Sequence, residues 1–212
     1  MGTRSAQKQM TRLRIIQAAL EKLVEEDSFA SVSMREVAKA AGIAPTSFYR
    51  HFNDMEELGL VLVDEAGLSL RQLMREAREK TFSSTENTLR TTVETFMDYM
   101  RSNKELCTFL MRARVGGSTA VRAAINQELQ HIVREMSEDI ERAASDQRRP
   151  ISHPKVVAEA VLAIIFSVGY KAFDLHEDEQ PFVSEVIIQQ LRMLYLGAEQ
   201  LTERAERMED AI

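Results

Sequence analysis

Apolar residues recur through most of the chain at spacings of three and four, the period of a helix face turned toward a core. Leu13, Ile16, Leu20 and Leu23 form one such stripe, which predicts a first helix over residues 6–25 with a charged opposite face. The polar run EEDSFAS then predicts a turn. Ser33 followed three residues later by Glu36 is a capping-box pattern, so a second helix begins there, burying Met34, Val37, Ala38 and Ala41. Gly42 ends it, because glycine readily takes the left-handed conformation of a helix C-terminus. Pro45, with its fixed φ and missing N–H, suits the first position of a third helix predicted over 45–52. Two short helices joined by a glycine-containing turn make a helix-turn-helix.

Further helices are predicted over 54–80, 85–102, 104–114, 119–144, 154–175 and 181–209. A polar break at Ser83 and Ser84 and the runs VGGS, SDQRRPISHP and HEDEQP separate them, with the Gly, Pro, Ser and Asp signals of loops. Only four Pro and eight Gly in 212 residues also favour helix over sheet. The expected fold is all-α: a three-helix N-terminal helix-turn-helix domain over 1–53, then a C-terminal helical ligand-binding and dimerisation domain over 54–212.

Composition narrows the setting. Hydrophobic residues at 44% and charged ones at 28% describe a soluble globular protein. The start, MGTRSAQKQMTRLR, has no apolar leader segment, and the longest uncharged stretch, 160–170, is well short of the roughly 20 residues that span a bilayer. No membrane partner is expected. The single Cys107 has no internal disulfide partner, which fits a reducing cytoplasm. A net charge of −6 looks wrong for a DNA-binding protein until it is divided along the chain. Residues 1–52 carry eight Lys and Arg against five Asp and Glu, a net +3, which leaves −9 on the remainder. A positive module on an acidic body meets phosphate with one end only.

Phe48 and Phe52 are four apart, so they share a face and should pack on Val37, Ala41, Ile43 and the first helix. At about 100° per residue, Thr46, Ser47 and Arg50 then lie roughly opposite the rings, with Tyr49 and His51 on the flanks. The N-terminal residues of a recognition helix reach base edges in the major groove, a position held here by Pro45, Thr46 and Ser47. Arg35 suits a bidentate contact to guanine, whereas Ser33, Tyr49 and His51 suit phosphate. Thr11, Arg12 and a flexible basic arm through Lys8 would add backbone or minor-groove contacts. The competing reading is an amphipathic helix whose polar side simply faces water. The conjunction of capped helix, glycine turn, proline start and paired aromatics favours double-stranded DNA.

The run SMREVAKAAGIAPTSFYRHFNDMEEL resembles the DNA-binding signature of TetR-type repressors, with Gly42, Tyr49 and Phe52 at its usual landmarks. The longer run SFASVSMREVAKAAGIAPTSFYRHFNDMEELGLVLVDEAGLSLRQLMREAR, with RTTVETFMDYM and LMRARVGG, is similar to the FabR-like subgroup that represses unsaturated fatty-acid synthesis. One position departs from the pattern: family members often carry a phosphate-directed lysine where this chain has Met55. The resemblance implies a homodimer on a pseudo-palindromic operator. It also implies a long-chain acyl-CoA or acyl-carrier-protein effector, with saturated and unsaturated chains acting differently.

The stretch VVAEAVLAIIFSVGY is apolar nearly all round and must be covered on several sides. Val183, Ile187, Leu191, Leu194, Ala198 and Leu201 form a seam able to pack on the preceding helix and on a second copy of the chain, with packing inside one chain as the plainer alternative. Phe96, Met97, Tyr99, Met100, Phe109, Leu110, Phe166 and Tyr170 are candidates to line a ligand cavity, since methionine adapts to flexible apolar ligands, with ordinary core packing as the alternative for each. For an acyl thioester, as the resemblance implies, Arg112 or Arg114 would meet the carrier phosphate, with ordinary surface pairing as the alternative for both.

Two other classes of function compete. An enzyme is not expected: His51, His131, His153 and His176 lack metal-ligand spacing, Cys107 has no evident partner, and VGGST is not a phosphate-cradling loop. The acidic HEDE at 176–179 reads as a solvated loop rather than a metal site, and no cofactor is expected. A lipid carrier with a vestigial helix-turn-helix is disfavoured by Arg35 and Arg50. Within the repressor class, the alternative is a regulator of drug efflux answering a different hydrophobic ligand.

Overall fold

The computed structural model describes residues 3–26, 31–80, 85–176 and 179–209. Among these, every regular element is helical: α1 (Thr3–Glu25), α2 (Met34–Ala40), α3 (Pro45–Phe48), α4 (Met55–Lys80), α5 (Thr85–Ser102), α6 (Lys104–Gly116), α7 (Thr119–Asp146), α8 (Pro154–Tyr170) and α9 (Gln180–Glu209). The turn EEDSFAS, the break at Ser83 and Ser84, and Glu177 and Asp178 of the acidic loop lie wholly or partly outside the described residues. The chain packs into two compact units, Met1–Leu70 with Asn103–Glu128, and Arg71–Ser102 with Leu129–Ile212. α6 thus packs with the N-terminal helices.

In the first unit α1 buries Ile15, Ala18, Ala19 and Leu23. Leu13, expected on the buried stripe, is 48% exposed. The side that carries two alanines faces inward because α2 and α6 both pack on α1, and small side chains let helix axes approach. α1 is helical from Thr3, and residues 5–10 are exposed along it. The arm through Lys8 is therefore a projecting helical turn rather than a flexible strand, as suits the good helix formers Ala6, Gln7, Lys8 and Gln9.

α3 is shorter than the predicted 45–52. Past Phe48 the backbone tightens: Arg50 N donates to Ser47 O at 3.2 Å and His51 N to Phe48 O at 2.8 Å, bonds that close three residues back. α4 starts one residue later than expected. Asp54 caps it instead of entering it, with its Oδ1 accepting from Glu57 N at 2.7 Å while Glu57 Oε2 accepts from Asn53 N at 2.7 Å.

In the second unit α8 buries Val157, Ala158, Val161, Leu162, Ile165, Phe166 and Gly169. It packs along α9, where Val183, Ile187, Ile188 and Leu191 are buried. Phe96 of α5 meets Phe166 edge to face, ring centroids 5.3 Å apart. Gly169 lets α5 and α8 approach, since a Cβ there would lie 2.9 Å from Met100 Sδ. Arg90 grips Glu185 through both guanidinium nitrogens, at 2.5 and 3.2 Å, and so ties α5 to α9. α8 closes at Tyr170 rather than at 175, passing into a 3₁₀ turn, Lys171–Asp174. With that turn, α8 is long and apolar enough to cross a bilayer by length and composition, which corrects the expectation from its uncharged stretch alone. Its apolar side is the core of this unit, and a buried core helix meets the same criterion.

Candidate nucleic-acid interface

The helix-turn-helix is set by short-range chemistry at both ends of α2. Ser33 Oγ accepts from Glu36 N at 3.3 Å, and Glu36 Oε2 accepts from Ser33 N at 2.8 Å. Donation to Glu36 Oε2, first from the Ser33 hydroxyl and then from the Ser33 N–H, holds the Glu36 carboxyl below its ordinary range. The Ser33 hydroxyl also donates to Glu36 Oε2 at 2.6 Å, so it is engaged in the cap. At the other end Gly42 has φ 64°, Gly42 N donates to Lys39 O at 3.1 Å and Ile43 N to Ala38 O at 3.0 Å. Arg14 reaches over from α1 to donate to the Ala41 and Gly42 carbonyls. That contact had no sequence signal, because the partners lie 27 and 28 residues apart.

Phe48 and Phe52 are 0% and 1% exposed, with ring centroids 5.7 Å apart. With that side anchored, Pro45, Thr46, Tyr49 and Arg50 are exposed, as are Ser33 and Arg35 on α2; Ser47 and His51 are half-buried. Tyr49 stands edge-on to Phe48, centroids 6.2 Å apart. The Arg12 guanidinium lies 4.6 Å from the Phe52 ring centroid, so α1 adds a cation beside the turn. The structure thus places Lys8, Arg12 and Arg50 near enough to act on His51. Desolvation first, then Lys8, Arg12 and Arg50, hold the His51 imidazole below its ordinary 6.5. Its Nδ1 is buried with no hydrogen-bond partner among the described residues. Met55, at the departure from the family pattern, is the first residue of α4 and half-buried.

The candidate ligand residues divide between the units. In the second unit Phe96, Met97, Met100 and Phe166 are buried, and Tyr170 is half-buried with its ring against Phe173. In the first unit Phe109 is buried, Leu110 half-buried and Arg114 exposed. Arg112, expected toward a carrier phosphate, instead donates to the carbonyls of Leu23 at 2.9 Å, Val24 at 3.0 Å and Glu26. An open depression of about 570 Å³ on α7, lined by Glu138, Glu141, Arg142, Ser145 and Asp146, involves none of these residues. Among the described residues no group of three or more His, Cys, Asp or Glu is placed to hold a metal. Burial pushes the Cys107 thiol up to about 12, so it is protonated at neutral pH and is not a thiolate nucleophile.

Residues 15–60 match the family described as bacterial regulatory proteins, tetR family, and residues 85–197 match the tetracyclin repressor-like C-terminal domain. Among solved structures, the chain is similar to a putative TetR-family transcriptional regulator from Syntrophomonas wolfei, with a TM-score of 0.71 and 18% identity over 89% of this chain and 96% of that one. It is also similar to the fatty acid degradation regulator FadR from Bacillus halodurans, with a TM-score of 0.69 and 16% identity over 87% and 94% of the two chains. FadR from Bacillus subtilis, in complex with stearoyl-CoA, gives a TM-score of 0.66 and 15% identity over 83% and 97%. At these identities the likeness is one of fold.

Proposed function

We infer, from the premise that this chain belongs to the tetR family of bacterial regulatory proteins, that it is a cytoplasmic, one-component repressor binding a pseudo-palindromic operator as a homodimer. Residues 1–53 are the DNA-binding domain and 54–212 the ligand-binding and dimerisation domain in this reading. The observation that carries it is the buried Phe48–Phe52 pair, with Thr46, Tyr49 and Arg50 exposed and Arg35 exposed on α2. Thr46, Ser47 and Arg35 read base edges. Tyr49 and His51 meet phosphate, Arg50 faces the groove with Thr46 and Ser47, Arg12 adds a backbone or minor-groove contact, and Pro45 sets the start of the reading helix. Ser33, whose hydroxyl, N–H and carbonyl are all engaged in the cap, contributes by fixing α2.

The effector is proposed to be a long-chain acyl-CoA or acyl-carrier-protein, and the genes controlled those of unsaturated fatty-acid synthesis. Support comes from the FabR-like runs in the sequence and from a fold shared with a regulator solved with stearoyl-CoA. Phe96, Met97, Met100, Phe166 and Tyr170, all of the second unit, are the candidate lining. A ligand that prefers one spacing of the paired α3 helices changes operator affinity by its preference ratio.

Operator binding tests this directly. Gel shifts on a selected operator should weaken steeply with salt, since counterions are released at phosphate contacts. Tyr49→Phe and His51→Ala should weaken binding on all sequences alike, while Thr46→Ala and Arg35→Ala change base preference by roughly 1–3 kcal/mol per lost contact. Uniform loss for all four would reject the assigned roles. Mass spectrometry of co-purified ligands should find acyl thioesters, and recovery of unrelated hydrophobic drugs would favour an efflux regulator.

A further inference from the structure

The sequence after α1 carries few of the local signals that close a helix. Beyond Val24 the chain reads EEDSFAS, which offers no glycine for a left-handed cap, and Glu25 and Glu26 place negative charge at the negative end of the helix dipole. Lys22, ion-paired with Glu25, offsets part of that charge. The Lys22 carbonyl is satisfied by Glu26 N at 3.1 Å. The carbonyls of Leu23, Val24 and Glu26 share the two N–H donors of Arg112 Nη1, 86 to 89 residues away in the chain. Arg112 is half-buried on α6, whose neighbouring Phe109 and Ala113 are 1% and 0% exposed, and α6 packs on α1. One guanidinium on a different helix therefore caps the end of α1.

We propose that Arg112 is a positioning residue that couples α6 to the helix-turn-helix by capping α1 in trans. α1 carries α2 through close packing and through Arg14 on the Ala41 and Gly42 carbonyls, so the end of α1 and the turn before α3 share one support. Charge-assisted bonds at 2.9 and 3.0 Å weaken steeply with separation, and a shift of α6 by about 1 Å is enough to release them. The coupling rests on the operator-binding reading, and it needs a ligand only as the agent that moves α6.

The test uses the full chain, an operator duplex recovered by selection, and oleoyl-CoA as the probe. Arg112→Gln should speed amide exchange in the last turn of α1 by roughly tenfold, as for loss of one or two charge-assisted bonds. It should also weaken ligand-free operator binding and bring the ratio of affinities without and with oleoyl-CoA toward one. Arg112→Lys keeps the charge without the fork and should fall between. Val115→Ala, at an 85% exposed site on the same helix, should change neither readout. Unchanged exchange overturns the proposal. So does an equal loss of affinity with and without ligand, since that leaves the ratio intact and marks a merely structural role. If wild-type affinity ignores oleoyl-CoA, the acyl-thioester reading fails by itself, and exchange with ligand-free affinity decides the cap. If Arg112→Gln does not fold, the Lys variant supplies the same comparisons.

Discussion

His51 shows how a single side chain at the edge of the reading surface is governed by its neighbours. Its Nδ1 is buried with no partner among the described residues, and Lys8 and Arg12 of α1 with Arg50 beside it all oppose a further positive charge. The folded protein therefore favours the neutral ring. Because the native value lies below the unfolded one, stability is fully present above about 6.5 and declines as pH falls through the native value. In the free protein, NMR titration of His51 should give a midpoint below 6.5, and it should rise when operator phosphates are bound. A midpoint at or above 6.5 without DNA would contradict the arrangement. The two phenylalanines were readable from spacing alone, whereas the exposure of Leu13 was not. The buried side of α1, far round the helix from Leu13, carries Ile15, Ala18 and Ala19, and only the helices packed on α1 select it.

At the scale of an element, the ends decide more than the middles. α2 is fixed by Ser33 and Glu36 at one end and by Gly42 with φ 64° at the other, and both signals stood in the sequence. An added Cβ at Gly42 meets a strained backbone and lies 3.2 Å from Arg14 Nη2. Gly42→Ala should therefore cost about 1 kcal/mol or more in urea unfolding, with Gly42→Asn milder because asparagine tolerates the left-handed region. Equal stability of Gly and Ala at this site would remove the conformational argument. α1 is the opposite case: its last carbonyls are served by Arg112, so no window of local sequence reports how it ends.

For the whole molecule, the open question of geometry is which face meets a second copy. The seam expected to serve both neighbours is largely used inside one chain: Val183, Ile187 and Leu191 are buried, Leu194 and Ala198 are half-buried, and Leu201 is 65% exposed. A different stripe on α9, Met193 and Leu196 at 70% and 61% exposure, stands open, with no atom within 4 Å of a Cβ placed at Gly197. On α8, Val156 is 61% exposed, and Ala163 and Ser167 follow it on the exposed side. Four such helices, two from each chain, would close an isologous interface. Leu196→Glu should shift the protein to monomer in sedimentation experiments and lower operator affinity at least about tenfold, because two linked half-site contacts are lost. A dimer of unchanged stability would place the interface elsewhere.

What the sequence determined by itself was whatever acts over one helical turn or less: the all-α class, the order and approximate limits of the helices, the cap at Ser33, the turn at Gly42, and the side of α3 that Phe48 and Phe52 bury. Tertiary structure alone decided which stripe of α1 and of α9 faces inward, where Arg14 and Arg112 place their donors, and that α6 packs with the N-terminal helices. Periodicity specifies that a helix has an apolar side. It leaves open which neighbour covers that side, since a contact between residues 27 or 89 positions apart leaves no local pattern.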